Sequence, residues 1–287
     1  MKKIIERIAA ILGMIKFPHT VFALPFAIMS AFLAAGGLPT GRQIFWIVMC
    51  MVGARSAAMS FNRIVDARYD AMNPRTAQRE IPTGKLTIGQ TAAFMAAMAA
   101  LFLFSAYQLN RLAFMLSPVA LAIILGYSYT KRFTDYSHFV LGLSLAIAPV
   151  GAWIAVREEF HIVPILLGLA VLLWTAGFDI IYACQDIEFD KRVGLYSLPK
   201  RLGTARALAL AALLHCGMIV ILMVVFLTAH LGTIFLAGIA LVSLLLLYEH
   251  SIVKPHDLSR VNAAFFNVNG MVSLLLMALT IVDVGIR

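Results

Sequence analysis

Residues 44–70 read IFWIVMCMVGARSAAMSFNRIVDARYD, an apolar run that turns polar without a helix-breaking residue at the change. The stretch from Ile44 to Asn62 has the length of a membrane-crossing helix, which needs about 20 predominantly apolar residues. Beyond it, Asn62, Asp66 and Asp70 recur at i, i+4 and i+8 and therefore share one stripe of a continuing helix. Arg55 stands seven residues before Asn62, within about 20° of the same stripe and about 10 Å deeper. An arginine at that depth requires a partner inside the bundle. Two carboxylates one turn apart weaken a helix by a few tenths of a kcal/mol, and a divalent cation removes the conflict. Mg²⁺ suits the arrangement because it takes one or two carboxylates and completes its shell with substrate phosphates. The plainer reading is a solvated helix end paired with Arg63, Arg68 or Arg75, and an Arg55 held in a structural ion pair.

The rest of the chain agrees with a membrane protein. Of 287 residues 62% are hydrophobic and 13% charged, and the mean hydropathy is +0.91. Soluble domains do not reach such values. Nine candidate spans fall near residues 17–37, 44–62, 88–107, 113–130, 138–156, 162–184, 205–228, 232–248 and 264–283. We expect an all-α bundle of nine transmembrane helices, a single domain over residues 1–287, with a lipid-accessible central cavity. Residues 1–16 read as an amphipathic helix on the cytoplasmic surface, since no small-residue cleavage site follows them.

The net charge of +9 does not point to nucleic acid, because its distribution follows the spans. With the N-terminus in the cytoplasm, only Arg42, Arg111, Arg157 and Arg287 fall on the far side and Arg55 within a span; the other Lys and Arg gather inside. That asymmetry sets the orientation and puts the two charged loops, 62–88 and 185–204, on the cytoplasmic face of an inner membrane. Thr87 with Gln90 has the spacing of a capping box, and Thr204 after Gly203 marks a further helix start. Cys50, Cys184 and Cys216 lack metal-ligand spacing and read as packing residues. Asn262, Asn267 and Asn269 read as caps or bridges between helices.

The second loop repeats the logic of the first. In GFDIIYACQDIEFDKRVG, Asp179, Asp186 and Asp190 lie at i, i+7 and i+11 on one stripe, and Tyr182 shares that face. Two such stripes facing each other make a cavity with carboxylates at its rim and Arg55, Asp179 and Tyr182 below. Carboxylates crowded at one mouth, with arginines and lysines nearby, fit a ligand that brings both metal and phosphate: a diphosphate bound through Mg²⁺.

These residues resemble the UbiA superfamily of intramembrane prenyltransferases. The likeness covers nearly the whole chain: NRIVDARYD as a first aspartate motif, RTAQREIPTG as the basic loop after it, YSYTK as a Y-x3-K element, and DIIYACQDIEFD as a second aspartate motif. The resemblance implies a transferase that joins a polyprenyl chain to an acceptor, with Mg²⁺ held by Asp66, Asp70, Asp186 and Asp190. It assigns the diphosphate to Asn62, Arg75, Arg79, Tyr127 and Lys131. Its nearest wording is that of enzymes acting on aromatic acids in ubiquinone or menaquinone biosynthesis, with 4-hydroxybenzoate or 1,4-dihydroxy-6-naphthoate as acceptor. In that scheme Arg55 meets the acceptor carboxylate, and Asp179 and Tyr182 orient its hydroxyl or take its proton. Two alternatives stand beside it: transfer to another acceptor such as haem, and a cation-coupled membrane transporter.

Overall fold

The computed structural model describes residues 10–15 and 22–286, and among these it contains helices and no strand. Eight helices are long and apolar enough to cross a membrane. In chain order, α1 (Leu24–Ala35) precedes α2 (Gly41–Met72), α3 (Ile88–Leu109), α4 (Arg111–Thr130), α5 (Ser137–Arg157) and α6 (Ile162–Val193). A short α7 (Leu198–Leu202) leads into α8 (Thr204–Thr228), α9 (Thr233–Ile252) and α10 (Val261–Gly285).

The first expected span, 17–37, is the exception. Its described part, α1, has 12 residues, bounded by Pro25 in its first turn and by Gly36 in the left-handed region at φ 63°. At about 1.5 Å per residue it covers about 18 Å, short of a hydrocarbon core of about 30 Å. Residues 17–21 of that span, and most of the expected N-terminal amphipathic helix, lie outside the described residues; residues 10–15 are helical.

The two helices with carboxylate stripes are the longest, α2 and α6 at 32 residues each. Each exceeds what a bilayer core needs, so the apolar part crosses and the acidic part projects beyond it. The capping box at Thr87 and Gln90 forms as expected and starts α3. At α8 the N-cap is Gly203 and Thr204 is already helical, because Gly203 at φ 77° makes the turn itself. The 185–204 segment is also more ordered than a polar loop: a 3₁₀ turn at Cys184–Asp186 lets α6 resume at Ile187, and Ser197 caps α7.

Packing keeps the site's walls close. α6 is the most buried span and lies against α5 and α8. A Cβ on Gly142 would stand 2.6 Å from the Leu172 carbonyl oxygen, and one on Gly53 2.8 Å from that of Met98, so α5–α6 and α2–α3 touch backbone to backbone. Trp174, Phe26, Phe178 and Phe235 fill the core. At the end away from the carboxylates, side chains take up helix-terminal carbonyls that lack intrahelical donors. Arg42 donates to Gln108 at 2.8 Å, Asn110 to Ile154 at 2.7 Å, and Arg157 to Ala34. In the C-terminal half, Asn269 bridges helices as expected, accepting from Trp174 Nε1 at 2.6 Å and donating to Glu249 at 2.7 Å. Cys184 is buried, Cys50 half-buried and Cys216 exposed.

Candidate active site

The acidic ends of α2 and α6 meet over one polar chamber of about 210 Å³. Asn62, Asp66 and Asp70 line it from α2, and Asp179, Tyr182, Asp186 and Asp190 from α6. Arg75 and Arg79 reach in from the loop after α2, and Tyr127 and Lys131 from the end of α4. Every site residue expected from the sequence is therefore in this chamber except Arg55. Arg55 lines a second, apolar gallery of about 540 Å³ between α1, α2, α3, α4, α5 and α6, and its Nε is buried with no hydrogen-bond partner among the described residues. Tyr127 and Leu141 line both spaces.

Each aspartate in the chamber has an identified partner. Lys131 Nζ lies 2.5 Å from Asp66 Oδ2, which also accepts from Asn62 at 3.1 Å. Arg79 pairs with Asp70 Oδ1 at 2.7 Å. Arg75 grips both oxygens of Asp186, Nη2 at 2.6 Å and Nε at 3.1 Å, and donates through Nη1 to the Tyr182 hydroxyl at 2.7 Å. Burial works against the charge of Arg75, but the Asp186 carboxylate outweighs it and raises the guanidinium above its ordinary pKa. Asp190 accepts from the Ser197 hydroxyl at 2.8 Å, and Asp179 lies 2.7 Å from His138 Nδ1.

The loop that supplies the arginines is shaped by Asn73. Its side chain accepts from the backbone N–H of Arg75 at 3.0 Å, an Asx turn, and donates to Asp186 at 3.2 Å. The α2 exit is thereby tied to the α6 exit, and the two stripes are held at one mouth.

Two carboxylate oxygens are left over. Asp66 Oδ1 and Asp70 Oδ2 are buried and accept no hydrogen bond among the described residues, although Arg132 Nη2 stands 3.8 Å from Asp66 Oδ1. Acceptors without a hydrogen-bond donor in a polar chamber fit a bound cation. Among the described residues no group of three or more His, Cys, Asp or Glu side chains is placed to hold a metal ion.

Sequence reasoning missed two residues that line the chamber, His138 and Asn73, and the burial of Arg63. His138 sits at the start of a different span, so no helical period links it to Asp179. Asn73 reads as a turn residue, and its reach to Asp186 depends on how the loop folds back. Arg63 reads as a surface cation yet is buried, on the same face as Asp66 and Asp70; the spacing i, i+3, i+7 was its available signal.

The profile of the UbiA prenyltransferase family matches residues 23–271, a span that includes both aspartate stripes and the loops between them. The chain belongs to that family. As a UbiA-family member it is a prenyltransferase and an integral membrane protein, and the transporter alternative loses its support. The UbiA homolog from Aeropyrum pernix K1, solved without ligand, is 34% identical and superimposes with a TM-score of 0.84, covering 92% of this chain and 98% of that one. A UbiA homolog from Archaeoglobus fulgidus, solved bound to GPP and Mg²⁺, shares the fold at 20% identity with a TM-score of 0.73, over 96% and 99% of the two chains. The 4-hydroxybenzoate octaprenyltransferase of Haemophilus ducreyi is 29% identical over 251 residues, 87% of this chain and 90% of that protein.

Proposed function

We propose that this chain, acting as one domain over residues 1–287, transfers a polyprenyl group from polyprenyl diphosphate to the ring of a small aromatic acid. The acceptor is 4-hydroxybenzoate or 1,4-dihydroxy-6-naphthoate, in ubiquinone or menaquinone biosynthesis. The reading rests above all on one observation: a chamber rich in paired aspartates and cations adjoins an apolar gallery, and the two meet at Tyr127 and Leu141. An allylic diphosphate has the same two parts. The names of the similar hydroxybenzoate enzymes support the acceptor class. The distribution of Lys and Arg supports a chamber facing the cytoplasm from the inner membrane, with the N-terminus on that side.

In the resting protein the cations are held by aspartates. When the diphosphate enters, Lys131, Arg75 and Arg79 exchange carboxylate oxygens for phosphate oxygens, and Asn62 and Tyr127 add donors. Asp66, Asp70, Asp186 and Asp190 would hold Mg²⁺ together with the diphosphate, and the bound ion would supply charge that stabilises the leaving group. These donors stand ready where negative charge grows as the allylic C–O bond breaks, the kind of preorganised field that contributes most to many enzymes. The gallery walls keep water from the allylic cation. Arg55, with an unmet donor in an apolar wall, takes the acceptor carboxylate. Asp179 receives the ring proton and Tyr182, held by Arg75, orients the acceptor hydroxyl.

Membranes containing the protein, incubated with Mg²⁺, a polyprenyl diphosphate and a panel of hydroxybenzoate and dihydroxynaphthoate acceptors, should yield a prenylated aromatic acid detectable by mass. Diphosphate release with no prenylated acid from any acceptor would sink the acceptor assignment.

A further inference from the structure

Asp179 differs from the other aspartates that face the chamber: its partner is a histidine rather than a lysine, an arginine or a hydroxyl. His138 is 3% exposed, and its Nε2 is buried with no hydrogen-bond partner among the described residues. Asp179 keeps 24% of its side chain open, and both residues line the chamber. An ionised carboxylate only accepts, so the short contact puts the hydrogen on Nδ1. A second hydrogen on Nε2 would be a buried donor without an acceptor, which is costly. The ring therefore serves as a fixed donor behind the carboxylate, far less exposed than Asp179 itself.

We propose that His138 is a positioning residue, holding Asp179 as the proton acceptor for the aromatic substrate; this rests on the prenyl transfer proposed above. The chamber also holds Arg75, Arg79 and Lys131, and a carboxylate free to rotate would be drawn to them. Bound through Oδ2, Asp179 stays apart from those cations and presents its other oxygen. As the allylic C–O bond breaks, its electron pair leaves with the diphosphate. A π pair of the acceptor ring forms the new C–C bond. The C–H pair at that carbon returns to the ring while the proton passes to Asp179, and from the neutral carboxyl to water after product release.

The test uses the full chain in membranes and follows two readouts, prenylated acceptor and diphosphate released without acceptor. His138→Leu should lower kcat for transfer about 100-fold, within the range of general-base effects, with acceptor-free diphosphate release and the KM for prenyl diphosphate unchanged. His138→Asn, whose amide N–H stands near the Nδ1 position, should recover most of the loss. In an Asp179→Asn background His138→Leu should have no further effect on kcat, because the two act as one unit. Undiminished transfer in His138→Leu would overturn the role, as would a parallel fall of both readouts with no rescue by Asn. Absence of diphosphate release from the wild-type chain with any allylic diphosphate would instead overturn the prenyl-transfer reading beneath it.

Discussion

At the end of α2, Asp66 and Asp70 are buried and pair with Lys131 and Arg79, Asp66 also with Arg132 at 3.8 Å, and each keeps one oxygen without a hydrogen bond among the described residues. At the end of α6, Asp186 shares Arg75 with a tyrosine and is more open, and Asp190 meets only a serine hydroxyl. Similar sequence motifs have thus acquired unequal contacts. At the α2 end each carboxylate is paired with a cation from outside its own helix, whereas the α6 end is tied through Asn73 and Arg75 to a loop that crosses from α2. The difference teaches that matching stripes on two helices do not decide which cations answer them; the path of the loops does.

The severest way to probe this contrast is to delete a carboxylate from each side. Asp66→Ala and Asp186→Ala should each reduce transfer by about 1,000-fold, comparable to the loss of a main electrostatic group, and chelation of divalent cations should do the same to the wild type. Mass detection of product gives the rate, and helical circular dichroism checks that the fold survives. Equal activity in either variant at low Mg²⁺ would end the metal assignment.

Stability should separate the two ends next. Lys131→Met strands a carboxylate that is 3% exposed and should cost about 3 kcal/mol, the low end for breaking a buried pair because the lysine is itself partly open. Adding Asp66→Asn should return much of it, as read by thermal unfolding in detergent. Arg75→Ala should lower kcat/KM for prenyl diphosphate by about 100-fold and Arg79→Ala by about 10-fold, since charged hydrogen bonds contribute about 1.5–3 kcal/mol each and Arg75 makes several. Equal effects would remove the special place given to the crossing arginine. Ser197→Ala, the mildest change, takes one neutral donor from Asp190 and should cost about 1 kcal/mol, with transfer reduced less than 10-fold.

Much of the site was legible because helical periodicity is local. Asn62, Asp66 and Asp70, and Asp179, Asp186 and Asp190, reach one chamber as their angular spacing requires. Arg55 shows where angle is insufficient: it shares the stripe's direction, but seven residues of rise carry it into the gallery. The apportioning of Lys131 to Asp66, Arg79 to Asp70 and Arg75 to Asp186 depends on how loops fold back. The His138–Asp179 pair joins two helices, and no single-chain period encodes it. The brevity of α1 was hidden because 17–37 is mostly apolar, while Pro25 and Gly36 bound the described helix within it.

The shared threshold at Tyr127 and Leu141 has a consequence for departure. The gallery reaches the flank of the bundle past exposed Leu143, Phe160, Ile165 and Leu169, whereas the chamber ends among half-open Arg75 and Lys131. Under the proposed transfer, inorganic diphosphate and the prenylated acid would have separate doors, one to water and one to the bilayer, and neither would need to wait for the other to clear the path.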